Sequence, residues 1–225
     1  MDERIFRRYL VERLRGQLPG RNAQGRFAPD LGFGRHFGEP PPDARRAAVV
    51  ALLYPAAEEP PAPESALSQW RIPLIVRPEH LEHHAGQVAL PGGMIEEGES
   101  SGEAALRELH EELGVPPDGI ELLGELSPLY VFASDNFVVP WVAIASFVPT
   151  FILNVDEVNA VVELPITHLI EEDHIGSEIR VQNGVRIRAP FYRCGSHRIW
   201  GATAMMLAEL AAILEVADAA KSLDC

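Results

Sequence analysis

The sequence predicts an α/β chain, α+β by some schemes, in which one sheet is covered by helices on both faces. Apolar runs of strand length at residues 46–54 and 71–77 come first, then an acidic amphipathic helix, further strand-like runs and a closing apolar helix. Strand and helix do not alternate simply. The glycine fingerprint of a dinucleotide-binding parallel sheet is also missing, which argues against that fold. With 225 residues the chain is long enough for one well-filled core and short for two catalytic domains.

Taken in order, residues 3–17 place Ile5, Phe6, Tyr9, Leu10 and Leu14 at helical intervals between arginines and glutamates. The expected amphipathic helix packs on the domain or on a second subunit, so a homodimer is one arrangement that would cover it. Residues 19–42 turn to Gly, Pro, Arg and Asn, a composition expected of a long arm. The division expected is therefore 1–44 as helix and arm, 45–218 as one catalytic domain, and 219–225 as a tail. Residues 46–54 read as a buried strand and 71–77 as its neighbour, with Pro73 pushing part of the latter to an edge or a bulge. The proline-rich stretch 55–68 between them reads as a surface excursion. Later strands are expected at 121–126, 137–147 and 160–163, and a final helix at 201–217, where Met205, Leu207, Leu210, Ile213 and Leu214 form an apolar arc.

The segment 93–115, GMIEEGESSGEAALRELHEELGV, carries the chemistry. Ser100 and Glu103 stand at capping-box spacing, Ala105, Leu109 and Leu113 supply the apolar stripe, and Gly114 with Val115-Pro116 supplies the stop. The opposite face carries Glu108, Glu111 and Glu112. Neighbours three and four apart on a helix lie roughly 5–6 Å from each other, so these carboxylates repel unless something neutralises them. A hard divalent cation such as Mg²⁺ would do so through oxygen ligands. Arg107 is placed to clamp a carboxylate or the preceding loop with its planar fork. That loop, Leu90-Pro91-Gly92-Gly93, has the backbone freedom to turn a bare carbonyl, that of Gly93, towards the metal.

Charge excludes other classes. Nineteen basic residues against thirty-three acidic ones give a net charge of -14, which argues against nucleic-acid or anionic-membrane binding by bulk charge. Lys221 is the only lysine. Two cysteines, Cys194 and Cys225, are too few for a disulfide scaffold, so a reducing cytoplasm is expected. The opening Met1-Asp2-Glu3-Arg4 is no signal peptide, and no run reaches the roughly 18 apolar residues of a membrane span. His80, His83 and His84 lack cysteine partners, and no zinc site is expected at them.

Gly93, Glu99, Arg107, Glu108, Leu109, Glu111, Glu112, Gly114 and Val115 match, position for position, the box of the Nudix hydrolases, so the chain resembles that family. The resemblance implies an alpha/beta/alpha sandwich with a mixed sheet, dependence on Mg²⁺ or Mn²⁺, and water attack on a small-molecule diphosphate. It implies Glu108 and Glu112 as direct metal ligands, with Glu111 completing the set or bridging through water and the Gly93 carbonyl as a backbone ligand. Arg107 then orients, and Glu99 fixes the loop to the helix. The base falls in a loop before a late strand, where Glu157 stands, with Asp156 as the alternative.

Within the family, the stretch 74–93 resembles the coenzyme A diphosphatases at Leu74, Arg77, Gly86, Pro91, Gly92 and Gly93, and also at Leu81, His84, Gln87 and Val88. It departs at Pro73, Ile75, Pro78 and Leu90, and at Glu82, where the subgroup has an arginine. The stretches 137–142, 157–165 and 199–204 resemble the same subgroup. Arg77, His84 and Gln87 are the implied substrate contacts, with Arg180, Arg186 or Arg188 available for a ribose 3'-phosphate and Tyr54, Tyr130 or Trp70 for an adenine ring. The implied products are 4'-phosphopantetheine, or its acyl form, and adenosine 3',5'-bisphosphate. Glu82 favours the alternative of ADP-ribose or another nucleoside-diphosphate conjugate. A noncatalytic ligand sensor on the same fold is the remaining alternative.

Overall fold

The computed structural model describes residues 3–30, 35–57, 67–80, 85–182 and 184–221. Strand β1 (Arg45–Pro55) is its axis. It pairs in parallel with β7 (Asn136–Ala145) from Arg45↔Asn136 to Leu53↔Ile144. Ala47, Ala51 and Leu53 point to one core cluster, while Ala48, Val50, Leu52 and Tyr54 point to the other. Burial on both faces is why this strand reads as an unbroken apolar run instead of alternating.

On its other flank β1 meets β4 (Gly92–Met94) along Ala47, Ala48 and Val49, and β2 (Trp70–Val76) at Tyr54 and Pro55, both antiparallel. β2 continues antiparallel to β3 (Val88–Ala89) and β8 (Ala160–Pro165). β5 (Ile120–Glu125) and β6 (Leu129–Val131) both run antiparallel to β7. One parallel pair among antiparallel ones makes the sheet mixed. Pro73 is tolerated because β8 pairs one side of β2 there, while its other side falls between the partners of Arg71 and Ile75. A separate antiparallel sheet of β9 (Ile175–Gln182), β10 (Val185–Cys194) and β11 (His197–Trp200) was not foreseen.

Helix α3 (Ser101–Leu113) covers one face of the main sheet through Ala104, Ala105, Leu109 and Leu113. The other face takes α1 (Glu3–Arg15) and α4 (Gly201–Lys221), completing an α/β/α sandwich. Most of the apolar stripe of α1 packs within the chain: Phe6, Leu10 and Leu14 are buried, Phe6 lies against Trp70, and the Tyr9 hydroxyl donates to the Ile213 carbonyl at 2.6 Å, whereas Ile5 is exposed. No described helix is long and apolar enough to cross a membrane.

The expected arm is partly ordered on α4. Short helix α2 (Arg21–Gln24) and the turn Gly25–Phe27 bury Ala23, Gln24 and Phe27, and Phe27 stacks on Tyr192. A buried carboxylate on α4, Glu209, holds this segment in place. Its Oε1 accepts from Gly20 N–H at 2.8 Å and the Ser127 hydroxyl at 2.7 Å, and its Oε2 accepts from the Gln24 amide and Ser127 N–H, both at 2.9 Å. A buried charge persists only when so saturated.

Removing that acceptor strands its donors in the interior. Glu209→Ala should cost roughly 3–5 kcal/mol in urea unfolding, and a loss below about 1 kcal/mol would show that the clasp is not structural.

Candidate functional site

α3 begins and ends as its sequence dictates. Ser100 Oγ accepts from Glu103 N–H at 3.3 Å, the Glu103 carboxylate accepts from Ser100 N–H at 2.9 Å, and Gly114 closes the helix with its N–H on the His110 carbonyl at 2.8 Å. With both ends fixed, the rotation of each glutamate is fixed too. Glu112 turns inward and is only 3% exposed, Glu108 is half-buried, and Glu111 faces solvent.

In front of the helix, β4 comes so close to its neighbours that only glycine fits. A β-carbon on Gly92 would strike the backbone of Ala48 and Val49, and one on Gly93 would strike the Glu108 carboxylate. This approach lets Gly92 N–H donate to Glu112 Oε2 at 2.9 Å. The loop after β7 is hooked to the end of α3 by Ile152 N–H on the Leu113 carbonyl at 2.8 Å and Asn154 N–H on the Glu112 carbonyl at 3.1 Å. Buried Val158 anchors its far side, and Glu157 is thereby swung over the helix. Glu108, Glu112 and Glu157 each offer an oxygen, all within 4.8 Å of one another.

Three carboxylates at that spacing, one of them buried, are unfavourable alone. Burial pushes the Glu112 carboxyl up to about 8, opposed by the Gly92 N–H and reinforced by the charge of Glu108. Burial also raises Glu108, with Arg107 opposing. An all-oxygen set held at this electrostatic cost fits a hard divalent cation.

Glu111 stands outside this group and meets Arg107 Nη1 at 3.0 Å. Arg107 spends its whole fork locally. Nε and Nη2 grip Glu99 at 2.9 and 3.2 Å, Nη1 also holds Glu108 at 2.9 Å, and Nη2 reaches the Met94 carbonyl at 2.9 Å. The guanidinium keeps the Glu99 carboxyl below its usual range. Glu99 therefore ties loop to helix.

The Gly92–Gly93 wall is shared with a cavity of about 440 Å³, whose lining includes Arg77, Gln87, His36, Phe132, Asn136, Trp200, Thr203 and Met206. Arg77 N–H donates to the Gln87 carbonyl at 3.0 Å, which fixes the two side by side. Arg77 Nε and Asn136 Oδ1 are buried without hydrogen-bond partners among the described residues. Both residues line the cavity, so a donor and an acceptor without partners stand beside it, where buried polar atoms are normally paired.

His84, and Glu82 with it, lie outside the described residues. Tyr54 and Trp70 are corrected: they are 0% and 2% exposed in the core, so neither can stack on a ring. Tyr130 hydrogen-bonds Asp135 at 2.7 Å. The aromatic walls are instead Phe132 and Trp200. Trp200 flanks the cavity beneath the Arg180 guanidinium, which lies 4.3 Å from its ring centre. Arg180 also pairs with Glu178, and Arg188 reaches Ser177. His36, Phe132 and Asn136 were missed because they sit in no motif, and Thr203 because the motif at 199–204 does not by itself show that it faces the cavity.

The NUDIX domain family matches residues 38–177, more than half of the chain. An uncharacterized Nudix hydrolase, NudL, of Salmonella paratyphi B is 35% identical over 165 residues, which cover 72% of this chain and 80% of that protein. Among solved structures, the Nudix hydrolase RenU of M. smegmatis aligns at 13% identity and a TM-score of 0.49, covering 78% of this chain and 89% of its own. An Ap4A hydrolase of C. elegans in a binary complex aligns at 18% identity and a TM-score of 0.43, covering 54% of this chain and 80% of its own.

A carboxyl whose pKa is raised on folding stabilises the fold while protonated. That contribution is complete below about 4.5 and is lost as pH climbs through about 8. The melting temperature of EDTA-treated protein should therefore fall between about pH 5 and pH 8, and Glu112→Gln should flatten the decline. An equally steep decline in the variant would move the cost away from Glu112.

Proposed function

Because the chain belongs to the Nudix hydrolases, we propose that it cleaves the diphosphate of coenzyme A or an acyl derivative, with Mg²⁺ or Mn²⁺, to 4'-phosphopantetheine or its acyl form and adenosine 3',5'-bisphosphate. The observation that supports hydrolysis is the convergence of Glu108, Glu112 and Glu157, with Glu112 and Glu108 lying against Gly92 and Gly93, two residues of the cavity wall. The cavity's volume is on the scale of small-molecule sites and suits one arm of such a substrate. Residues 45–218 form the catalytic unit, and the preceding 1–44 lend it His36.

Glu108 and Glu112 are the proposed direct ligands, the Gly93 carbonyl a backbone one, and Glu111 acts through water. A divalent ion held by these groups would supply positive charge for the diphosphate and a lowered pKa for the attacking water. Arg107 sets the rotamer of Glu108 through the 2.9 Å contact at Nη1. Glu157, exposed where Glu112 is buried, receives the water's proton on a carboxylate oxygen. Arg77, Gln87 and His84 are the proposed contacts for phosphate oxygens. Phe132 or Trp200 supports the adenine.

Glu82, in place of the subgroup's arginine, favours a second reading, hydrolysis of ADP-ribose or another nucleoside-diphosphate conjugate. Incubating the protein and Mg²⁺ with coenzyme A, dephospho-coenzyme A and ADP-ribose, with products identified by mass, separates the two. Coenzyme A should be consumed fastest, whereas preference for ADP-ribose would establish the second reading. Metal binding without turnover of any diphosphate would instead mark a ligand sensor.

Glu157→Gln should lower turnover at saturating substrate by about 10²-fold while metal affinity stays within a factor of about two. A matching loss of metal affinity would make Glu157 a ligand, and an unchanged rate would remove it from the mechanism.

A further inference from the structure

A second group of metal-ligating side chains lies away from the acidic helix, in the crossover from β8 to β9. Two 3-10 turns, Ile166–Leu169 and Glu172–His174, bring together His168, Glu171 and His174, spaced by three residues each. Each offers one ligand atom, and the three atoms lie within 4.8 Å of one another. His174 Nδ1 is 3.2 Å from the Arg193 carbonyl on β10. A carbonyl only accepts, so Nδ1 carries the proton and the lone pair sits on Nε2. That nitrogen faces Glu171 Oε2 at 3.5 Å. Two acceptors face to face need a proton or a cation between them. His168 Nδ1 is buried with no hydrogen-bond partner among the described residues.

We propose that His168, Glu171 and His174 form a second metal site, which takes one divalent transition ion of zinc's class through two imidazole nitrogens and a carboxylate oxygen. Such a nitrogen-rich set discriminates by ligand type from the all-oxygen group on α3, which suits Mg²⁺. The Arg193 carbonyl supplies the outer hydrogen bond that metal-bound histidines use to fix tautomer and orientation. Closure is needed on binding. The His168 and His174 rings are stacked 3.4 Å apart and 11° from parallel, so one must rotate before both lone pairs meet a single ion. Zinc–nitrogen bonds of about 2.0–2.1 Å then draw the ligand atoms together.

The charge of Arg71 faces His168 and opposes the ion, whereas Glu171 favours it. A bound ion would pin the crossover to β10 and so steady the small sheet, whose Ile187 and Trp200 line the cavity.

The full chain is titrated with Zn²⁺ in excess Mg²⁺ by calorimetry, with Co²⁺ as a visible-absorption probe of nitrogen ligation. One equivalent should bind to the wild type and to Glu112→Gln, raising the melting temperature of both. His174→Gln and Glu171→Gln should bind at least about tenfold more weakly and lose the Zn²⁺-dependent shift. Their metal-free melting temperatures separate lost ligation from misfolding. Binding unchanged in His174→Gln, or binding that Mg²⁺ or Glu112→Gln abolishes, would overturn the site.

Discussion

The contact between β4 and the acidic helix sets the terms for everything near it. Gly92 and Gly93 let the strand lie against both β1 and α3, and the bond from Gly92 N–H to Glu112 exists only because no β-carbon intervenes. That one approach fixes the inward carboxylate, forms the wall of the cavity, and couples the central sheet to the helix. Substituting Gly92 forces backbone apart, which no side-chain repacking can absorb, whereas a side chain at Gly93 displaces the Glu108 carboxylate.

Electrostatics at the site are divided between two kinds of anion. Glu99 and Glu111 are neutralised by Arg107, which gives the loop and helix a rigid joint at little cost because that cluster is partly solvated. Glu108 is shared between the guanidinium and the open group, while Glu112 accepts from the Gly92 amide and feels the charge of Arg77 without a hydrogen bond from it among the described residues. Uncompensated charge is thus concentrated where a cation would be held, and the surrounding pairs keep it from moving away.

Much of this was legible in the sequence where it rests on local rules. The capping box, the helical stop and the double-sided strand β1 depend on neighbours a few residues apart, so pattern was enough. Rotation about the helix was harder. Glu108, Glu111 and Glu112 look alike in the sequence, yet the buried stripe turns Glu112 inward and leaves Glu111 to solvent. Glu157 was reachable only through the resemblance, because its placement depends on Asn154 and Ile152 gripping the end of α3. The cavity wall was largely illegible: His36, Phe132 and Trp200 come from separate segments, and their convergence is tertiary. Nothing local in the sequence marks Glu209 for burial, which the four donors from Gly20, Gln24 and Ser127 explain.

The cavity draws on His36 near one end of the chain and on Thr203 and Met206 near the other. A polypeptide emerging from the ribosome can form α3 and its glutamates long before those last residues are released, but it has no enclosed room in which to seat a nucleotide. Competence therefore depends on segments far apart in the sequence closing together around the cavity, and the acidic helix by itself is not enough.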